Sequence, residues 1–164
     1  MNLFPKNVNF LSTERYVKGG QSINNFSNFN LALHVNDRAE NVIQNRSLLK
    51  DIYNLPGDPA WINQTHSSIC INASSAKKVT EADASYSLKP GVVCGILTAD
   101  CLPVFISKKD GKMVGIAHAG WRGLIMGVIE NLIRSFNCNG HDLIIHLGPA
   151  ISMASFEVGE EVKA

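Results

Sequence analysis

Two apolar runs, Leu102–Ser107 and Met113–Ala117, flank the segment Lys108-Lys109-Asp110-Gly111-Lys112. Asp-Gly between apolar runs is a strong turn signal, because both residues tolerate the backbone reversal that a returning strand needs. The chain is therefore expected to run out along one strand and back along the next, which commits it to a β-sheet. Pro103 falls inside the first run, lacks an N–H, and is unfavourable at a central ladder position. The uninterrupted run Gly91–Leu97 (GVVCGIL) reads as a buried strand, and Leu143–Leu147, followed by Gly148-Pro149, as another. Ala60–Ile62 and Ser68–Ala73 read as short strands. Two stretches follow helical spacing instead. Asp37–Ile52 carries Val42, Ile43, Leu48, Leu49 and Ile52 and stops before Pro56-Gly57. Leu124, Val128, Ile129, Leu132 and Ile133 share one face of a second helix that ends near Asn137–Gly140. Residues 19–30 are rich in Gly, Ser and Asn and read as a loop. Strands interleaved with helices predict an α+β fold, a mixed β-sheet with flanking helices.

Length and charge narrow the function classes. A chain of 164 residues is expected to form one domain, residues 1–164, with its own core. A formal net charge of +1 and the lack of a dominant basic stretch give no support to nucleic-acid binding. The opening MNLFPKNVNFLSTER lacks the apolar region of a signal peptide, and no apolar run is long enough to span a bilayer. The expectation is a cytoplasmic protein without membrane contact. The cysteines are Cys70, Cys94, Cys101 and Cys138, with no C-x-x-C pair, which excludes a zinc ribbon or a thioredoxin-type motif. Cys70, Cys94 and Cys138 read as small buried hydrophobes.

Chemistry concentrates in three separate segments: Asn63-Gln64-Thr65-His66-Ser67-Ser68, Thr98-Ala99-Asp100-Cys101-Leu102-Pro103 and Ala117-His118-Ala119-Gly120-Trp121-Arg122-Gly123. Each places a soft-metal ligand or nucleophile at the end of an apolar run. Two imidazoles and a thiol are three zinc ligands, and three protein ligands leave a fourth position open, as catalytic zinc requires. Taken singly, the residues have plainer readings: His66 as a loop histidine and Cys101 as core packing. Asp100 reads equally as an orienter of a ligand or a strand-end cap. Trp121 is expected to pack against the sheet, and Gln64 to close a turn or orient substrate. His141 and His146 read as structural.

The segments THSS, ADASYS, TADCLPVFI, GIAHAGWRGL, LGPAIS and FEVGEEV, with the opening GGQSINNFSNFNLALHVNDRAENVIQNRSLL, resemble the YfiH family, from about residue 13 to the end. That family, formerly called the laccase-domain or multicopper polyphenol oxidase family, includes a bacterial peptidoglycan editing factor and a purine nucleoside phosphorylase. The resemblance implies that His66, Cys101 and His118 hold zinc and carry the catalysis. It implies phosphorolysis of adenosine, inosine and 5′-methylthioadenosine to ribose 1-phosphate and base, together with adenosine deamination. The partners would be purine nucleosides and phosphate, and the protein a monomer or weak homodimer. It also implies an α+β fold related to the catalytic domain of a deamidating toxin. Arg122 is the candidate phosphate ligand, because a guanidinium fork matches phosphate oxygens. The start of the helix after Gly120 would add backbone donors. Asn30 and His34 are candidate substrate contacts.

The sequence departs from the family pattern in three places. Members continue well beyond FEVGEEV, so the chain is expected to lack their C-terminal segment. Where members show Thr-x-Arg before Gly-Gly, this chain has TERYVKGG, which leaves Arg15 or Lys18 as the equivalent cation. Asn36 stands where glycine is usual.

Two other enzyme classes compete. In a Cys–His amide hydrolase, or an editing enzyme for peptidoglycan precursors, Cys101 would attack an amide and His118 would activate it. A copper-dependent polyphenol oxidase is the lesser alternative. Multicopper chemistry needs many convergent imidazoles, and the chain has five histidines in all. A non-catalytic fragment or binding module is the third class.

Overall fold

The computed structural model describes residues 4–75 and 79–162. The chain forms two compact units: Leu11–Asp58, and Pro59–Ala164 together with Met1–Phe10. Among the described residues, no helix is long and apolar enough to cross a membrane.

In the smaller unit, helix α1 (Ala39–Tyr53) takes the place predicted for Asp37–Ile52. It ends at Asn54, whose left-handed backbone (φ 49°) closes the last turn through its N–H to the carbonyls of Lys50 and Asp51. Its buried face carries Val42, Asn45 and Leu49. Asn45 is polar and fully buried, so its bonds must be satisfied inside. Its amide donates to Ser22 Oγ and Asn30 O, and its Oδ1 accepts from the Gln21 N–H. The loop at 19–30 is thus fastened to the helix. Arg15 adds a second fastening by donating to the carbonyls of Ser27 and Asn25.

The larger unit is built on a five-stranded mixed sheet. Its strands are β2 (Cys70–Asn72), β3 (Ala84–Ser87), β5 (Leu102–Lys108), β6 (Val114–Ala119) and β7 (Leu143–Leu147), in the order β2-β3-β6-β5-β7. Only β2 and β3 run parallel. A separate parallel pair joins β1 (Pro59–Ala60) to β4 (Val93–Cys94). The sheet is mixed and the fold α+β, as the sequence suggests. The β5–β6 hairpin turns at the expected Asp-Gly, pairing Leu102 with Ala119 and Ser107 with Val114.

Pro103 lies in a strand paired on both sides. The Pro103 carbonyl accepts from Gly148 N–H at 2.9 Å, on the β7 side, where the ladder proper begins one residue later at Val104. The N and C=O of one residue point to the same side of a strand, so the missing donor falls at the end of β7 and the β6 ladder stays intact.

Alternation along β5 and β6 divides the core. One face carries Val104, Ile106, Ala117 and Ala119 against Val128, Leu132 and Phe136 of helix α3 (Val128–Ser135) and its end. The other carries Phe105 and Ile116 with Phe4 and Val8. Close helix–sheet approach is set at Gly115, where a Cβ would lie 2.8 Å from Leu132 Cδ1. His146 stacks against Phe10 and Phe105, which makes it structural as expected.

Three elements differ from the sequence reading. The second helix is broken into α2 (Trp121–Ile125) and α3, because Gly127 adopts φ +81°, outside helical space. The run Gly91–Leu97 supplies only the two residues of β4; Cys94 and Ile96 pack on the Phe105 side of the sheet instead. Finally, β3 is an interior strand that periodicity did not mark. Ala84, Ser85 and Ser87 are buried but small and mostly polar, so they carry no hydrophobic signal.

Leu132 is fully buried between α3 and the sheet. Leu132→Ala is expected to lower unfolding stability by about 2–5 kcal/mol, read as a lower urea midpoint.

Candidate metal centre

The antiparallel hairpin places the start of β5 and the end of β6 at the same end of the sheet. Cys101 immediately precedes β5, and His118 lies opposite Pro103 on β6. His66 arrives from the loop before β2. The ligand atoms of His66, Cys101 and His118 lie within 4.8 Å of one another. Cys101 Sγ is 4.0 Å from His66 Nε2, and the two imidazoles meet edge to face with centroids 4.8 Å apart. His118 is buried, while His66 and Cys101 are half-buried.

The carboxylate at this end of the sheet is Asp83, one residue before β3. Its backbone carbonyl accepts from His118 N–H at 2.7 Å, and its Oδ1 lies 2.8 Å from His118 Nδ1. The same side chain accepts from the amides of Thr65, His66 and Ser67 and from the Ser67 hydroxyl. Burial pushes the Asp83 carboxyl up, but the hydrogen bonds from His118, Ser67 and the loop amides outweigh it and leave the group below the usual aspartate range. Asp83 stands in the segment ADASYS, whose wording marked it without giving it a role. Asp100, weighed as an orienter, is exposed, and its carbonyl accepts from Ile151 N–H.

Two more residues shape the centre. Gly120 approaches so closely that a Cβ there would sit 2.8 Å from His66 Cδ2 and 3.0 Å from Cys101 Sγ. Gln64 ties the His66 loop to the segment leading to Cys101: its amide donates to Leu97 O and its Oε1 accepts from Leu97 N–H, both at 2.7 Å. Gln64 is therefore a clamp between two ligand segments.

These donors fit a tetrahedral ion. Bonds of about 2.0–2.1 Å to nitrogen and about 2.3 Å to sulfur set ligand atoms roughly 3.4–3.6 Å apart. The 4.0 Å sulfur–nitrogen gap has only to close by about half an ångström, while a pair at the full 4.8 Å would have to close by about 1.2–1.4 Å. Two imidazoles with a thiol are the ligand chemistry of zinc, and they leave a position open. Among the described residues this is the one such group of three.

Burial, and then the carboxylates of Asp100 and Asp83, push the Cys101 thiol above the ordinary range. All four cysteines are free. Cys94 is the most strongly shifted, pushed to about 11 chiefly by burial. Arg122 is exposed, lies 4.2 Å from the Trp121 ring centroid and forms no ion pair among the described residues.

Residues 10–164 match the family described as multi-copper polyphenol oxidoreductase laccase. The chain belongs to this family, the YfiH family. It is 41% identical over 160 residues to the purine nucleoside phosphorylase YfiH of Escherichia coli, covering 97% of this chain and 65% of that protein. It is 43% identical over 145 residues to a purine nucleoside phosphorylase of Pseudomonas aeruginosa, covering 88% of this chain and 59% of that one. Among solved structures, Neisseria meningitidis NMB0706 superposes with a TM-score of 0.83 at 41% identity, over 88% of this chain and 60% of the other. YlmD of Geobacillus stearothermophilus gives a TM-score of 0.80 at 27% identity, over 88% and 59%. The chain thus spans about three-fifths of the length of these YfiH-family relatives.

Asn30, His34, Asn36, Arg15 and Lys18, also singled out in the sequence, sit in the smaller unit. Asn30 donates to Asp37 Oδ2 and Ala32 O, and His34 is exposed. Asn36, where the resemblance implies glycine, takes a left-handed φ of 61°, a conformation asparagine tolerates better than most residues. Of the two candidate cations near Gly19-Gly20, Arg15 is committed to loop carbonyls.

Two outcomes are expected. Gly120→Ala forces its methyl into His66 and Cys101, and is predicted to weaken divalent-metal binding at this group at least tenfold in a chelator competition titration. In metal-free protein, iodoacetamide is predicted to alkylate Cys101 more slowly than free cysteine at pH 7.5. Because the thiol is shifted upward, that rate climbs only as pH rises through and beyond the ordinary thiol range, and added zinc suppresses it.

Proposed function

We propose that the protein is a zinc-dependent purine nucleoside phosphorylase. Its substrates would be adenosine, inosine and 5′-methylthioadenosine, split by phosphate into free base and the 1-phosphorylated sugar. Adenosine deamination would be a second reaction at the same centre. The observation that carries this reading is the convergence of His66, Cys101 and His118 around one point. It gains weight because the chain is 41% identical to a relative named for that activity.

Zinc held by the three side chains would supply Lewis acidity and positive charge at an open coordination position. The remaining work falls to the chain. Cys101 must bind as thiolate and the imidazoles as neutral ligands, so the Nδ1 contact of His118 to Asp83 leaves Nε2 as its donor atom. Burial of His118 keeps water from the inner side of the centre. Arg122 is the proposed phosphate ligand. Its guanidinium is exposed, free of a carboxylate among the described residues and over the Trp121 ring, 4.2 Å from the centroid, which leaves its planar fork available for phosphate oxygens to accept from. Helix α2 adds little to this, since it has only five residues. The family resemblance supports Asn30 and His34 as nucleoside contacts.

The competing amide hydrolase, including one that edits peptidoglycan precursors, needs Cys101 as an activated thiolate without metal. Its raised thiol argues against that role. A copper-dependent polyphenol oxidase at this centre would have a single three-ligand group to work with among the described residues.

The test is release of hypoxanthine from inosine by zinc-loaded protein, with and without phosphate, following ribose 1-phosphate. Phosphate-dependent ribose 1-phosphate is the expected result; base release without phosphate, or none from protein that holds zinc, would overturn the reading. Arg122→Ala is expected to raise the apparent KM for phosphate about tenfold with a smaller effect on nucleoside KM, as loss of a charged hydrogen-bond donor predicts. An unchanged phosphate KM would remove Arg122 from the site.

A further inference from the structure

We propose that Asp83 is the positioning residue of this centre, a single carboxylate that fixes both the tautomer of His118 and the backbone of His66. Its functional meaning rests on the zinc reading above, but its physical basis is the metal-free geometry. Asp83 is fully buried and surrounded by donors. Oδ1 lies 2.8 Å from His118 Nδ1 and accepts from His66 N–H at 3.0 Å. Oδ2 accepts from Thr65 N–H at 3.2 Å, Ser67 N–H at 2.6 Å and Ser67 Oγ at 2.7 Å. An ionised carboxylate, which only accepts, matches that set.

Each bond has a consequence for a metal ligand. A proton held on Nδ1 of His118 leaves Nε2 with its lone pair free. The three successive amides of Thr65, His66 and Ser67 converge on one anion, which is how a backbone nest is filled. The nest explains why His66, a non-glycine residue, holds φ +58°. Released from the carboxylate, that backbone has no reason to stay left-handed, and the imidazole leaves the centre with it. Two ligands from separate segments therefore depend on one side chain that need never touch the metal. Asp83 does not position Cys101 through a hydrogen bond; among the described residues it reaches that thiol only through its charge.

The isosteric amide cannot replace the acid. With the amide oxygen in the place of Oδ1, its NH2 group faces the Thr65 and Ser67 donors, and the nest is broken. Turned the other way, its NH2 faces Nδ1 of His118, which must then accept. The ring proton moves to Nε2, the atom a metal needs.

The experiment uses metal-free protein carrying ¹⁵N-labelled histidine. Long-range nitrogen–proton correlation spectra of the wild type should show His118 as the Nδ1–H tautomer, and the Thr65, His66 and Ser67 amides should be protected from exchange. Asp83→Asn should move His118 toward Nε2–H or expose those amides, and lower zinc affinity ten- to a hundredfold. A wild-type His118 protonated at Nε2, or an Asp83→Asn protein with wild-type tautomer, protection and zinc affinity, would overturn the proposal. If Asp83→Asn does not fold, the wild-type tautomer and amide protection decide alone: free exchange at all three amides would overturn it. If the wild type binds no zinc, the zinc reading fails, while the tautomer and exchange results still judge the positioning role.

Discussion

The carboxylate of Asp83 is the constraint on which the site end of the sheet depends. A charged group with no exposure is costly to bury unless donors replace its lost water. Here they come from β6, through His118, and from the 65–67 loop. Satisfying one buried ion therefore joins a strand end to a loop that otherwise shares no ladder with it. The Gln64–Leu97 clamp joins that loop to the chain leading to Cys101. The three ligand segments are thus linked pairwise before any metal is considered, and a metal centre needs such preorganisation.

Much of the sheet was legible because its signals are local. The Asp-Gly turn and its flanking runs marked β5 and β6 to within a residue or two, and Leu143–Leu147 is β7 as read. The interior strand β3 was invisible because it is built from Ala84, Ser85, Tyr86 and Ser87, small or polar residues whose burial follows from their neighbours. The apolar run Gly91–Leu97 misled for the opposite reason: hydrophobicity reports packing, and this segment packs half-buried Cys94 and Ile96 against the core while pairing over only two residues. The break at Gly127 was a single backbone angle inside a helical pattern.

The site was legible unevenly. His66, Cys101 and His118 announced themselves as ligand chemistry at the ends of runs, and the fold brings them together. Asp83 and Gly120 did not. The need for a carboxylate at 83 appears only when three amides and an imidazole are seen to point at it. The need for glycine at 120 appears only when His66 and Cys101 are seen beside its α-carbon. Both are properties of spatial neighbours, which spacing in one chain does not encode. The Arg122 guanidinium lies over the Trp121 ring, a partnership between neighbours that the sequence reading did not foresee.

Family membership fixes the fold, while chemistry belongs to the site. The name attached to the family speaks of several coppers, whereas the described residues gather a single group of one thiol and two imidazoles. The measurement that tests this account most directly is cobalt(II) titration of metal-free protein, read by absorption. One ion per chain, with intense tetrahedral d–d bands and a thiolate-to-cobalt charge-transfer band that disappears in Cys101→Ser, is the predicted result. Weak octahedral bands without charge transfer, or a spectrum unchanged by Cys101→Ser, would contradict the central claim that His66, Cys101 and His118 form one metal centre.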